Sequence, residues 1–458
     1  MHRLTPCLIL GLSLAACGEA DTEAPDAPDA PAAPALKADV GVDVAGKKIE
    51  IGALNDESGP AAAIGKPFAN GKRLLAAQIN AGGSGLLPDG WTVDLVERDH
   101  GYNPQASVQS YNEIAPDVLF IGTSFGTPNT LPLRPMLERD NAVAYPASLS
   151  SQMAENAHTP PIGPSYEVEA RRALDWIVAT ADDPAAVKAG IVYQQDDYGT
   201  DGLAGWKAEA EALGVTIVSE QTVAPGQKDM AAVITGLKDA GATHVLLTTL
   251  PSATGPILGT AAQLGYGPVW VGNTPAWIDA FYNPDVIPSA VFANYHQMSG
   301  LPFWGEEVPG MDKFVAAWEA HGKEMGQPDS YVLLSYLQGM VQVEAARRAI
   351  EGGDITRAGY LSALQSMDGY DAGGMMQPLS FTALPYTTAT KTRVLAPDFD
   401  QHSWKVVADY AAPGEHKRAA AAPEPQKAAP QPVGKPTAAP VKTGGPPSKP
   451  RVRPQSGH

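Results

Sequence analysis

Apolar and polar positions follow two rhythms along the middle of the chain. Lys48-Ile49-Glu50-Ile51-Gly52-Ala53-Leu54 alternates and then turns apolar, the pattern of a buried strand. From Gly65 to Ala81 the apolar residues Phe68, Leu74, Leu75 and Ile79 recur at helical spacing. Trp91 to Val96 predicts the next strand, 104–114 a helix, 118–121 a strand, 131–140 a helix and 142–145 a strand. The rhythm then restarts. Helices at 166–181, 201–213, 228–240 and 253–265 alternate with strands at 188–193, 215–218, 243–248 and 269–271. Strands separated by helices predict βαβ units with buried parallel sheets. Two runs of them predict an α/β fold of two doubly wound lobes with helices on both faces. A strand at 291–295, a helical stretch at 309–367 and short strands near 378–381, 391–396 and 403–408 follow, so the chain crosses between lobes more than once.

The two ends depart from this rhythm. Leu8 to Leu14 is an apolar run too short to span a bilayer, and it leads into Leu14-Ala15-Ala16-Cys17. This resembles a bacterial lipobox, in which residues 1–16 are a signal peptide and Cys17 carries the lipid anchor; an ordinary signal peptide with an incidental Cys is the alternative. Residues 17–45 are Ala/Pro-rich and acidic, which predicts an extended, disordered tether. Residues 411–458 are Pro/Ala/Lys-rich and basic, which predicts a tail without a core. That tail is either a basic arm for an anionic partner or a solvated end.

At 458 residues the chain has room for two or three domains. Its formal charge of −18 argues against nucleic acid, whose phosphates demand clustered Lys and Arg. Removing the acidic stretch (−6), the basic tail (+6) and Arg3 leaves residues 44–411 near −19. Both cysteines, Cys7 and Cys17, precede the folded body, which excludes a disulfide framework, a Cys-based zinc site and a cysteine nucleophile there. No pair of His shows ligand spacing and no phosphate-cradling glycine motif is present, so no metal and no cofactor are expected.

Several phrases together carry a family likeness: Ile51-Gly52-Ala53-Leu54 with Ser58-Gly59-Pro60, Asn70-Gly71, Ile79-Asn80-Ala81-Gly82-Gly83, Gly126-Thr127-Pro128-Asn129 and Ile191-Val192-Tyr193-Gln194-Gln195-Asp196-Asp197-Tyr198-Gly199. Over about 48–410 the chain resembles the branched-chain amino acid type of ABC-transporter substrate-binding proteins, the type I periplasmic binding proteins. The resemblance implies two lobes joined by three crossovers around a ligand cleft. It implies an N-terminal lobe of 46–166 plus 297–375 and a C-terminal lobe of 167–296 plus 376–410. It also implies a monomer that closes on a small-molecule solute and is read by an ABC permease, with no catalysis.

In open α/β sheets ligands meet the loops at the carboxyl ends of strands. Those loops hold Ser58, Ser124 to Thr127, Ala147 to Ser150 and Thr248-Thr249. By position in the family, Gly126 or Thr127, Ala147, Ser148 and Ser150 would hold a ligand's acid group, and Tyr198 would pack on the ligand. Turn and cap chemistry is the competing role for the Ser and Thr residues, Ser58 and Thr249 included. The family's amino-acid binders place a carboxylate in the loop that here reads Gly272-Asn273-Thr274-Pro275-Ala276-Trp277, with no acid before Asp279. This departure points away from an α-amino acid. Asn273 and Thr274 would then serve a neutral polar group, and Trp277 would stack on the ligand or pack within its lobe.

Gly122-Thr123-Ser124-Phe125-Gly126 also satisfies the nucleophile-elbow pattern of a serine hydrolase, with His244 or His296 as base. Pro128, Pro132 and Pro135 argue against the helix such an elbow needs. The sequence therefore points to a membrane-anchored lipoprotein of the periplasm or cell exterior that binds a solute for an ABC importer. A ligand sensor or envelope-assembly lipoprotein on the same fold is the alternative.

Overall fold

The computed structural model describes residues 35–415. The first half opens with β1 (Lys37–Ala38), β2 (Val42–Asp43), β3 (Lys48–Asn55), α1 (Ala62–Asn80), β4 (Thr92–Asp99), α2 (Pro104–Ile114) and β5 (Phe120–Phe125). It continues with α3 (Thr127–Thr130), α4 (Arg134–Asp140) and β6 (Ala144–Ala147). The strands β4, β3, β5 and β6 lie side by side in that order, all parallel, and β2 pairs antiparallel with the start of β3.

Next come α5 (Tyr166–Thr180), β7 (Lys188–Gln194), α6 (Asp197–Leu213), β8 (Thr216–Val223), α7 (Ala231–Asp239), β9 (His244–Thr248), α8 (Pro251–Gln263), β10 (Val269–Gly272) and β11 (Tyr295–Ser299). The chain then forms α9 (Met311–His321), α10 (Ser330–Glu351), β12 (Asp354–Ile355) and α11 (Arg357–Gln365), and ends in β13 (Thr392–Asp398) and β14 (Ser403–Ala411). The second sheet runs β8-β7-β9-β10-β11-β13-β14, parallel as far as β11 and antiparallel from there.

The inner strands β7, β9 and β10 of the second sheet are buried on both faces, which is why they are apolar without alternation. Val192, Val245, Leu247 and Trp270 pack on one side, while their neighbours Ile191, Leu246 and Val271 pack on the other. The first sheet packs against α1 and the α9–α11 block through Leu74, Phe120, Phe314, Leu337 and Tyr360. α1 and α10 cross closely at Gly71, where a Cβ would meet Val332 O at 2.4 Å and Ser335 Cβ at 2.6 Å.

Three expectations are corrected. Residues 35–45 do not continue a tether: β1 pairs with β12, Asp39 Oδ1 accepts the Arg357 N–H at 3.0 Å, and β2 joins the first sheet. Alternating polar residues there hide strands too short for a periodic signal. No strand forms at 378–381, where single bridges join Tyr370 to Leu379 and Ser380 to Thr387. The prolines after Gly126 do not prevent a helix. Pro128 and Pro135 each lie in the first turn of α3 and α4, where a helix needs no N–H from them.

Candidate functional site

The carboxyl ends of the two sheets face one another across a cavity of about 50 Å³. From the first sheet's side come Phe125, Gly126 and Thr127 at the end of β5, Pro146 to Leu149 after β6, and Ile64 and Phe68 from α1. α10 contributes Tyr331, Leu334 and Gln338, spaced to lie on one face of a helix. From the second sheet's side come Tyr198 on the first turn of α6, Leu250 before α8, and Thr274 and Pro275 after β10. Tyr102, Ile162 and Tyr166 complete the wall. The wall is mostly aliphatic and aromatic and carries no charged side chain.

Local structure explains these placements. Asp196 caps α6 by accepting the Gly199 N–H at 3.1 Å, which sets Tyr198 in the first turn. Gly126 has φ +90°, and a Cβ there would meet the Tyr102 ring and Asn129 at 2.8 Å. Only glycine lets β5 turn into α3 at this point. Beyond it the Thr127 and Ser148 hydroxyls lie 2.7 Å apart.

Of the residues singled out from sequence, Gly126, Thr127, Ala147, Ser148, Tyr198 and Thr274 line this cavity together. Five do not. Ser58 is exposed in the turn before α1. Ser150 is buried and precedes a short 3-10 turn, its N–H donating to Ser148 Oγ at 3.2 Å. The Thr249 hydroxyl is bonded to Thr254 Oγ1 at 2.7 Å. Asn273 is buried behind Tyr198, and its amide is spent on the Tyr198 hydroxyl (2.7 Å) and Thr248 Oγ1 (2.9 Å). Trp277 is 3% exposed within a ring cluster of Phe281, Tyr282, Phe292 and Trp404, so its role is packing within the lobe.

The aromatic residues Tyr102, Tyr166 and Tyr331 were missed from sequence. Tyr102 sits at φ +60° in a turn with no periodicity, and the helical stretch expected at 309–367 does not say which face would meet the cavity. Burial pushes Tyr102, Tyr198 and Tyr331 well above the ordinary tyrosine range, so all are neutral hydrogen-bonding groups.

The two sides touch around the cavity. Ser330 donates from both N–H (2.7 Å) and hydroxyl (2.9 Å) to Asp279 Oδ2. The Tyr331 hydroxyl lies 2.9 Å from the carbonyls of Thr274 and Trp277. Ser151 N–H donates to both Asp201 oxygens at 3.1 Å, and the Tyr102 hydroxyl lies 3.4 Å from Asp196 Oδ2.

An acid from elsewhere in the fold reaches the β10 loop: Glu169, on the first turn of α5. It is fully buried and accepts the Thr274 N–H at 2.9 Å and the Thr274 hydroxyl. Burial pushes its carboxyl up to about 8, so it is largely neutral at pH 7 and lies behind the wall rather than in it. The Ser124 hydroxyl is bonded to Thr130 Oγ1 at 2.7 Å. His244 contacts Thr243 and His296 packs on Trp176, so the elbow has neither base nor exposed nucleophile. Among the described residues no cluster of His, Cys, Asp and Glu could hold a metal, and no helix is long and apolar enough to cross a membrane.

Residues 48–393 match the family model described as periplasmic binding protein. The Leu/Ile/Val-binding protein homolog 8 of Brucella abortus is 24% identical over 343 residues, covering 71% of this chain and 83% of the relative. Homolog 7 of the same organism is 26% identical over 353 residues, covering 73% and 82%. A fatty acid ABC transporter substrate-binding protein from Thermomonospora curvata superposes with TM-score 0.75 at 25% identity, covering 82% of this chain and 95% of that one. A branched chain amino acid ABC transporter protein from Thermus thermophilus with bound valine shares the fold, with TM-score 0.70 at 20% identity, over 80% and 96% of the two chains. The chain therefore belongs to the periplasmic binding protein family, as a solute-binding protein of the branched-chain amino acid ABC-transporter type.

Proposed function

We propose that this protein captures a small solute with an apolar body, a hydrogen-bonding head and no amino group, and presents it as a monomer to an ABC permease. The lobe limits proposed are about 37–165 plus 300–391 and 166–299 plus 392–411, shifted from the limits read from sequence because β1 and β2 join the first sheet's side, β11 stays whole in the second sheet, and residues such as Leu379 and Phe381 pack in the first core. The observation that carries the reading is the cavity wall, which is apolar with clustered hydroxyls and holds no carboxylate to pair an ammonium. A cavity of about 50 Å³ has room for roughly four waters, which favours a compact solute. The relatives are named for Leu, Ile and Val or for a fatty acid, so apolar carboxylates occur on both sides of the amine question. Thr127, Ser148 and Gln338 would hold the head, and Tyr198, Phe68 and Leu334 the body. Cys17, outside the described residues, would anchor the protein outside the cytoplasm.

A thermal-shift screen of the purified protein against amino acids, amides, short-chain acids and aromatic acids tests this. A ligand at a thousandfold excess over its Kd adds about 4 kcal/mol. A hit among compounds without an amine is expected. Hits confined to α-amino acids would overturn the amine-free reading, and no hit would overturn solute binding.

A further inference from the structure

Lys72 is a buried cation that the reading above does not use. It lies on α1, 4% exposed, one residue beyond the close crossing at Gly71. Its ammonium donates to the Ser335 carbonyl at 2.9 Å and to Gln338 Oε1 at 3.0 Å, and it stands 5.7 Å from the Phe68 ring centre. All its partners are uncharged. Among the described residues no carboxylate lies within ion-pair distance of it. A buried ammonium without a counter-ion is costly, and proteins seldom keep one without a use.

Two of its partners, Phe68 and Gln338, belong to the cavity wall. Lysine can only donate, so it fixes which end of the Gln338 amide faces it. The Oε1 end is held by Lys72, and the Nε2 end is turned to the Pro146 carbonyl at 2.7 Å, itself part of the wall. The Thr127 and Ser148 hydroxyls lie on the same side of the cavity, beside Pro146 and Ala147.

We infer that Lys72 is a positioning and selectivity residue for the solute's head group: it fixes the Gln338 amide with Nε2 on the cavity side, where the N–H not taken by Pro146 meets that head, and it supplies the charge that a carboxylate-bearing solute completes. This rests on the solute-binding reading and narrows it to anions. The bound carboxylate becomes the missing counter-ion, one side chain removed. At that range in a protein interior a unit charge changes affinity by about tenfold or more.

The groups facing Lys72 are Ser335, Gln338 and Gly339 from α10 and Phe68 from its own helix, none of which titrates. Burial without a counter-charge lowers the Lys72 ammonium well below its ordinary range and a bound anion would raise it again, so a proton taken up on binding would go with the acid. Two carboxyls near the wall, buried Glu169 behind Thr274 and half-buried Asp329 beside Tyr331, are also pushed up to about 8; a Glu169→Gln background removes the first contribution, and comparison with Lys72→Met removes the second.

The experiment is calorimetry with isovalerate and benzoate against their amides, isovaleramide and benzamide, on the purified protein. Wild type and Glu169→Gln protein should bind at least one acid about tenfold more tightly than its amide. Titrations in two buffers of different ionisation enthalpy should show proton uptake with the acid only. Lys72→Met should bind acid and amide alike and take up no proton, while Lys72→Arg should keep part of the acid preference. Lys72→Gln, which keeps an N–H donor for the Ser335 carbonyl, guards against a Lys72→Met variant that does not fold. It should lose the acid preference while still binding the amide. Equal affinity of wild type for acid and amide overturns the inference, as does an acid preference that survives Lys72→Met or Lys72→Gln. A wild-type protein that binds only neutral compounds sinks this inference and leaves solute binding standing. Failure of every compound in the screen sinks both.

Discussion

The Tyr198 hydroxyl lies 2.7 Å from Asn273 Oδ1 and 3.2 Å from the Thr249 carbonyl, so its polar end is tied into its own lobe and its ring faces the cavity. Ring and hydroxyl should therefore separate by mutation. Tyr198→Phe leaves two buried acceptors without their donor and should cost about 1–3 kcal/mol of stability with little change in solute affinity. Tyr198→Ala removes the ring and should weaken binding by about 1–3 kcal/mol. Denaturant melts and calorimetry on both variants check this. A large affinity loss in Tyr198→Phe would show that the hydroxyl itself meets the solute.

Ser330 begins α10 and Asp279 belongs to the second sheet's side, so their two hydrogen bonds hold the lobes together at the rim. Asp279→Ala strips the acceptor from both donors. It should shift the unliganded protein toward an open form and lower solute affinity by about tenfold, since the closed state must then be restored by the solute. Small-angle scattering should show a larger radius of gyration without solute. An unchanged radius and affinity would make the contact incidental to closure.

The sheet core was legible because each βαβ unit repeats a strong pattern. α2 falls at the predicted 104–114, where Asn103 caps it and Pro104 opens it. The cavity was legible where glycine and hydroxyl residues end a strand, as at Gly126-Thr127 and Ala147-Ser148. It was not legible where the partner is remote in sequence. Asn273 was expected to meet the ligand, and nothing local says that Tyr198, 75 residues earlier, takes its side chain. Lys72 looks like any polar residue on an amphipathic helix until α10 covers it. Nor does the missing acid after β10 show that Glu169, on another helix, stands behind the same loop.

That carboxyl sets a pH dependence. Its ordinary value is 4.5 and burial raises it to about 8. A carboxyl whose folded value is raised contributes stability below the unfolded value, and this is lost as pH rises through the folded one. The protein should lose stability from this group, on the order of a few kcal/mol, between about pH 4.5 and 8. Glu169→Gln should flatten that part of the curve. Parallel melts at pH 5 and pH 8.5 decide it. Identical slopes for both proteins would mean that Glu169 is ionised and paired in the fold.

The proposed anchor makes a separate prediction from sequence. Multiple acyl chains hold a protein to a membrane where one chain does not. Cys17→Ser should move the protein from the detergent-extracted fraction to the soluble fraction of the cell envelope, with unchanged melting temperature. Continued membrane association of the variant would refute lipidation at this position.

The closest test of the architecture is at Gly71. The α1–α10 crossing brings the Val332 carbonyl and the Ser335 side chain to where a Cβ would stand, at 2.4 and 2.6 Å. Backbone at that distance cannot yield without moving a helix, so Gly71→Ala should destabilise by about 1–3 kcal/mol or more. The same crossing covers Lys72 and delivers Gln338 to the cavity. Forcing the helices apart should therefore also weaken solute binding, although Gly71 is not part of the cavity wall. A variant with normal stability would mean that α10 can slide along α1. In that case the seat of Lys72 would be adjustable rather than fixed by the fold.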